Sequence, residues 1–166
     1  MAGNVPDVRG SPSSPGKAGI AAILALATGL VAHWEGYSLT AYADPVKINT
    51  ICYGHTDPSI RKGDTATKAE CERLLTGDLA EAYAAVGRCV TVPLKPNEAA
   101  ALTSFAFNVG GGTLCKSTLA RLANKGVPAS VWCYQLDRFV YARGIKFNGL
   151  VKRRAAERQM CLGVTA

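Results

Sequence analysis

The spacing of apolar positions changes twice along the chain. From Ala18 to Trp34 the apolar residues run almost unbroken: seventeen residues, AGIAAILALATGLVAHW, carry no formal charge. From Tyr37 to Thr56 the chain is rich in Tyr, Thr, Ile and Val, interrupted at Asp44-Pro45 and closing at Gly54. That pattern predicts a short hairpin or three-stranded ribbon. Helical spacing then takes over. Thr67 with Glu70 three residues on is a capping-box signature, and Leu74, Leu75, Leu79, Tyr83 and Val86 recur at helical intervals. Asn97-Glu98 opens a second helix containing Leu102, Phe105 and Val109, which leaves through Gly110 to Gly112. Ser117 or Thr118 is placed to cap a short helix that stops at Gly126, and Pro128 can begin another with Val131, Trp132, Leu136 and Phe139. A last helix is predicted from about Leu150 to Leu162. The expected fold class is α+β, a small β-ribbon lobe beside a mostly helical one.

The amino-terminal region divides in two. Residues 1–17 hold Pro6, Pro12 and Pro15 among Ser and Gly, the composition of a flexible leader. Residues 18–34, with Arg9 and Lys17 ahead of them, admit three readings. They form a cleaved export signal with Ala25-Leu26-Ala27 as the small-residue cut site, a weak membrane anchor, or a buried helix of the folded domain. The last two are compatible at different times. Cleavage is disfavoured because Glu35, the first candidate for chemistry, follows at once. Residues 35–166 make up the domain.

At 166 residues the chain fits one domain with one sizeable core. Its 48% hydrophobic content excludes an intrinsically disordered chain. A net charge of +7 points to an anionic partner: nucleic acid, a membrane surface or a bacterial wall polymer. The excess gathers late, in Arg138, Arg143, Lys146, Lys152, Arg153, Arg154 and Arg158. Neither zinc-finger spacing nor a basic heptad region is present, so nucleic acid is not an expected partner. Six cysteines, Cys52, Cys71, Cys89, Cys115, Cys133 and Cys161, are scattered without a Cys-x-x-Cys pair, and the histidines are only His33 and His55. That disposition argues against a metal site and for disulfides formed in an oxidising compartment. No cofactor is expected.

Glu35 at the end of the apolar run, Asp44 in a turn and Thr50 in a strand fall within sixteen residues. Glycoside hydrolysis requires an unequal carboxyl pair, one protonating the leaving oxygen and one acting opposite. Two acids nine residues apart are common, and this spacing alone decides little. Cys52 and His55 offer a second chemistry, a Cys/His peptidase or amidase cutting the wall peptide. A non-catalytic wall-binding module is a third reading.

Longer strings of residues separate these readings. Glu35-Gly36, Asp44, Thr50 and Gly54-His55 at their spacing resemble the catalytic motif of the phage-type lysozymes, glycoside hydrolase family 24. Lys68-Ala-Glu-Cys71-Glu with Leu74-Leu75 and Asp78-Leu79 resembles the helix after the family's active-site ribbon, and Ser104-Phe-Ala-Phe107-Asn108-Val-Gly110 the helix bordering its cleft. Ser117-Thr118-Leu119 and Gly149-Leu150-Val151-x-Arg153-Arg154-x-x-Glu157-Arg158 resemble its late motifs, so the likeness extends from about residue 30 onward.

The resemblance implies a lysozyme-like fold and a muramidase cutting the β-1,4 bond between N-acetylmuramic acid and N-acetylglucosamine in peptidoglycan. Glu35 would be the general acid. Asp44 would activate or position the attacking water, with Thr50 helping to hold it; this implies inversion, with carboxyl groups about 6.5–9.5 Å apart. Asn108 would bind a sugar acetamido group, Arg153 would approach Glu35, and His55 would pair with Asp78 as a structural tie. The disulfides expected are 52–71, 89–115 and 133–161, each worth about 3 kcal/mol by constraining the unfolded chain. Residues 18–34 resemble the signal-anchor-release segments of some lambdoid endolysins. That likeness implies transient tethering to the host inner membrane, release on loss of the membrane potential, and action in the host periplasm as a monomeric endolysin that lyses the host and frees phage progeny.

Overall fold

Helix α1 spans Lys17–Trp34 and buries one narrow stripe, Ile23, Ala27 and Val31, each four residues from the next. Side chains at that interval stack on one side of a helix. The opposite side, with Ala21, Ala22, Ala25, Leu26, Gly29 and Ala32, is exposed. The computed structural model describes residues 15–44 and 47–164. The leader reading falls on residues 1–14, outside the described residues, except for its last three positions; of these, Lys17 already belongs to α1.

A three-stranded antiparallel ribbon follows: β1 (Ser38–Ala43), β2 (Asn49–Cys52) and β3 (His55–Thr56), in that order. The two-residue connection between β2 and β3 is Tyr53-Gly54, and Gly54 has φ 86°, a conformation that favours a residue without Cβ. The ribbon's inner side sets Ala41, Ile51 and Cys52 against Cys71, a small core of its own.

Helix α2 (Lys68–Cys89) starts at the expected capping box. The Thr67 amide donates to Glu70 Oε2 at 2.6 Å, and the Glu70 amide donates to Thr67 Oγ1 at 3.2 Å. Helix α3 (Pro96–Val109) is the centre of the molecule: every residue from Glu98 to Ala106 is buried. A helix buried all round must be covered on all sides, and α1, α2 and a carboxy-terminal helix, α7 (Asn148–Leu162), pack against it. Leu75 and Leu79 of α2 and Ala99 and Ala100 of α3 receive the α1 stripe. A larger core of Leu102, Phe105, Leu119, Trp132 and Leu136 fills the far side.

The connections depart from the sequence reading in three places. Gly110 leaves α3 with φ 84°, but Gly111 and Gly112 begin a new helix, α4 (Gly111–Lys116), rather than a loop. A Cβ on Gly111 would stand 2.7 Å from Ala85 Cβ, so its absence lets α4 approach α2. The helix expected from Pro128 is instead one α turn, α6 (Ala129–Trp132), followed by a 3-10 helix over Cys133–Arg138. Three residues per turn bring Cys133 and Leu136 to the same side, and both are buried, while Val131 is exposed. The third departure is a hairpin, β4 (Tyr141–Ala142) and β5 (Ile145–Lys146), turning through Arg143-Gly144, both with positive φ as its short loop demands. Between α4 and α6 lies α5 (Thr118–Asn124), capped by Ser117, whose Oγ accepts from the Ala120 amide at 3.1 Å.

Cys52–Cys71 ties the ribbon to α2, Cys89–Cys115 ties α2 to α4, and Cys133–Cys161 ties the 3-10 helix to α7. These are the pairs expected.

The capping box makes α2 sensitive to acid. The Thr67 amide and hydroxyl hold the Glu70 carboxyl below its ordinary value of 4.5. A depressed acid contributes stability that is complete above the unfolded value and lost as pH falls through the folded one. Glu70→Gln therefore lowers the midpoint of urea unfolding at neutral pH, and the gap to wild type closes in acid. A gap that persisted at low pH would show that the carboxylate charge is not what stabilises the cap.

Candidate active site

Glu35 is placed by the end of α1: its amide donates to the Val31 carbonyl at 2.8 Å, and the side chain leaves the helix half-buried. On one side of it lies a groove of about 550 Å³, walled by Tyr53, Gly54 and His55 of the ribbon, Asp78 and Glu81 of α2, and Phe107 and Asn108 of α3. On the other side a smaller hollow is bounded by Trp34, Phe147, Leu150 and Arg153. Gly54, with its positive φ, brings the β2–β3 turn beside Glu35: a Cβ there would lie 3.9 Å from Glu35 Oε2.

Behind Glu35 stands a buried charge cluster. Arg153 Nη1 donates to Glu35 Oε1. Arg153 Nε donates to Glu157 Oε1 at 3.2 Å, and the Ser104 hydroxyl donates to the same oxygen at 2.8 Å. Arg154 Nη2 donates to Glu157 Oε1 at 3.2 Å and to Asn108 Oδ1 at 2.8 Å. The Arg154 guanidinium also lies 5.0 Å from the Phe105 ring centre. Arg153, Arg154, Ser104 and Glu157 are all buried, with Arg154 and Glu157 wholly so. Arg154 Nε comes 3.0 Å from Glu157 Oε2, an ion pair whose angle is too poor for a hydrogen bond. Burial pulls Arg154 down to about 10, against the opposing charge of Glu157. Burial likewise pushes Glu157 up, against Arg154 and Arg153. Both directions follow from charges removed from water.

Glu35, His55, Asp78 and Asn108 therefore line one groove, and Arg153 bonds the Glu35 carboxyl beside it. His55 Nδ1 lies 2.9 Å from both carboxylate oxygens of Asp78, a half-buried link between β3 and α2. The bond from Arg154 occupies Asn108 Oδ1 and so orients that exposed amide. Asp44 and Thr50 are on the ribbon and line neither hollow beside Glu35. Asp44 closes the β1–β2 turn: its Oδ1 accepts from the Ile48 amide at 2.8 Å, and its own amide donates to the Ile48 carbonyl at 2.9 Å. Thr50 is buried, and its hydroxyl donates to the Ile48 carbonyl at 3.2 Å. Cys52 is bound to Cys71 and has no thiol to offer, which removes the Cys/His peptidase or amidase reading.

Sequence reasoning missed Glu157 and Arg154 as the support of Glu35, and Glu81 and Arg88 as groove residues. The signal for the first was the i, i+3 and i, i+4 spacing of Arg154 and Arg153 to Glu157 in a helix.

A helical lobe and a β-ribbon meeting at a groove, with a carboxyl group at the junction, define the lysozyme-like class. The sequence profile described as phage lysozyme matches residues 32–157. A SAR-endolysin of Bacteriophage PS119 is 39% identical over 149 residues, 90% of this chain and 89% of its own. Among solved structures, the muramidase domain of SpmX from Asticaccaulis excentricus superposes with a TM-score of 0.74 at 29% identity, over 90% of this chain and 97% of that one. The active form of P1 phage endolysin Lyz gives 0.76 at 23% identity, over 88% and 92%, a likeness of fold. The chain belongs to the phage lysozyme family.

The charge cluster is a structural liability once broken. Glu157→Ala leaves two buried guanidiniums without their shared counter-ion and costs about 3–5 kcal/mol of folding stability, measured by urea unfolding. A loss below about 1 kcal/mol would mean that Glu35 and solvent neutralise the arginines without Glu157.

Proposed function

We propose that this protein is a phage endolysin: a muramidase that hydrolyses the β-1,4 bond between N-acetylmuramic acid and N-acetylglucosamine and so lyses the host. The observation that carries the reading is Glu35 at the tip of α1, fixed by Arg153 and open to a groove between the two lobes. Glu35 gives its proton to the leaving glycosidic oxygen. Asp44 activates or positions the attacking water, Thr50 helps to hold that water, and the sugar carbon inverts. Asn108, its carbonyl fixed by Arg154, presents its amide N–H to an acetamido oxygen of the substrate. His55 and Asp78 keep the ribbon registered on α2. Supporting this reading are the family match and the identity to the SAR-endolysin.

Glu35→Gln removes the transferable proton and abolishes clearing of outer-membrane-permeabilised cells, while circular dichroism shows that the protein stays folded. Wild-type digests contain new reducing ends, whose first-formed anomer by NMR is inverted. New amines in place of reducing ends would mean a peptidase or amidase, no product would mean a wall-binding module, and a retained anomer would remove Asp44 from the role of base.

The chain acts in the host periplasm as a monomer after a period tethered to the inner membrane through residues 18–34. What supports the tether is α1 itself: it is long and apolar enough to cross a membrane, and little of it is buried in the fold. Its Ala and Gly content makes each residue's gain in lipid small. While α1 is in the bilayer, Glu35 is kept at the interface and the groove is incomplete; release, on collapse of the membrane potential, lets the Ile23–Ala27–Val31 stripe dock. Expressed without a holin, full-length protein sits in the membrane fraction and moves to the periplasm when the potential is collapsed. Replacing Gly19, Ala22, Ala25 and Gly29 by Leu holds it in the membrane and blocks lysis. Soluble cytoplasmic protein under both conditions would refute the tether.

A further inference from the structure

Part of the groove is left unused by this mechanism. Its α2 wall carries Asp78, Glu81 and Arg88. Asp78 is engaged by His55, whereas the side chains of Glu81 and Arg88 are in exposed residues and make no hydrogen bond or ion pair among the described residues. Seven residues apart on one helix, they share a face and stand about 10 Å apart along its axis. Gly111, which lets α4 approach Ala85, lines the groove with Arg88. The groove thus runs from Glu35 past a carboxylate to a guanidinium, and an opposite-charge pair held too far apart to neutralise itself is suited to a ligand that carries both signs.

Resting on the muramidase reading, we infer that this stretch is a subsite for the peptide arm of the substrate, with Arg88 taking a peptide carboxylate and Glu81 a free ammonium. The length fits. The wall peptide leaves the glycan from the lactyl group of the muramic sugar, beside the bond being cut. Four extended residues reach about 13–14 Å, enough to span the roughly 10 Å of helix between Glu81 and Arg88. The chemistry fits as well: stem peptides combine free carboxylates with, where a diamino acid is present and uncrosslinked, a free ammonium. Both protein charges are exposed, so each contributes a specificity of a few-fold rather than orders of magnitude.

The test pairs protein variants with substrate chemistry. Uncrosslinked, peptide-bearing glycan strands are used as isolated, after acetylation of their amines, or after amidation of their carboxyls. Full-length wild type, Glu81→Gln and Arg88→Gln are assayed by release of reducing ends. On native strands each variant raises KM about two- to five-fold, leaves kcat unchanged, and loses its effect at high salt. Acetylation raises the wild-type KM by the same factor as Glu81→Gln and adds nothing to that variant. Amidation does the same with Arg88→Gln. Effects of variant and modification that multiply, or variants indistinguishable from wild type on native strands, overturn the subsite. Failure of the wild type to release reducing ends from native strands overturns the muramidase reading itself.

Discussion

The carboxylate of Glu157 is the point to which the rest of the structure is tied. It is wholly buried, and Arg153, Arg154 and Ser104 converge on its Oε1. Through Arg153 it reaches Glu35 on α1, through Arg154 it reaches Asn108 on α3, and it sits itself on α7. A charge this deep is tolerated only if its partners hold it from several sides. The requirement is mutual: the same contacts that hold Glu157 Oε1 fix the two side chains that face the groove. The geometry of the groove and the integrity of the core are here one constraint, and α1 enters it only through Glu35, the residue that closes its end.

The ribbon is attached differently. Its apolar face is small, and a two- or three-stranded sheet of this size has little stability of its own. It is secured at two points of α2, by the Cys52–Cys71 disulfide in the second turn and by the His55–Asp78 contact two turns later. The lobe carrying Asp44 and Thr50 is therefore held to α2 by one covalent link, one polar link and a small apolar contact, while the helical lobe adds two disulfides to its larger cores.

Elements that announce themselves locally were legible in the sequence. The capping box at Thr67 and Glu70, the exit at Gly110 and the hairpin glycine at Gly54 each depend on residues a few positions apart. The arrangement of Glu35, His55, Asp78, Asn108 and Arg153 was legible only through the family resemblance, because helical or strand spacing says nothing about which elements meet. What stayed hidden depended on tertiary context. The 3-10 helix after Trp132 buries Cys133 and Leu136, but i, i+3 positions share a face in either kind of helix, so the apolar spacing does not tell 3.0 from 3.6 residues per turn over so short a stretch. The β4–β5 hairpin has two-residue strands, too short for an alternation to be recognised, and its only cue is Arg143-Gly144. In the sequence Glu157 stands as one acid within a basic stretch; its burial follows from the packing of α7 on α3.

Helix α1 has a consequence for how this sequence is free to vary. Its inner stripe of Ile23, Ala27 and Val31 answers to Leu75, Leu79, Ala99 and Ala100, and a change of volume there is felt by the fold. Its outer side is exposed among the described residues, yet from Ala18 to Ala32 it is written without a single charge. Water alone would have permitted lysine or glutamate at Ala21, Ala22 or Ala25 at no cost to packing. Under the tether proposed above, the two sides of one helix answer to two different solvents, and substitutions at those outer alanines alter the answer to one of them while leaving the other intact.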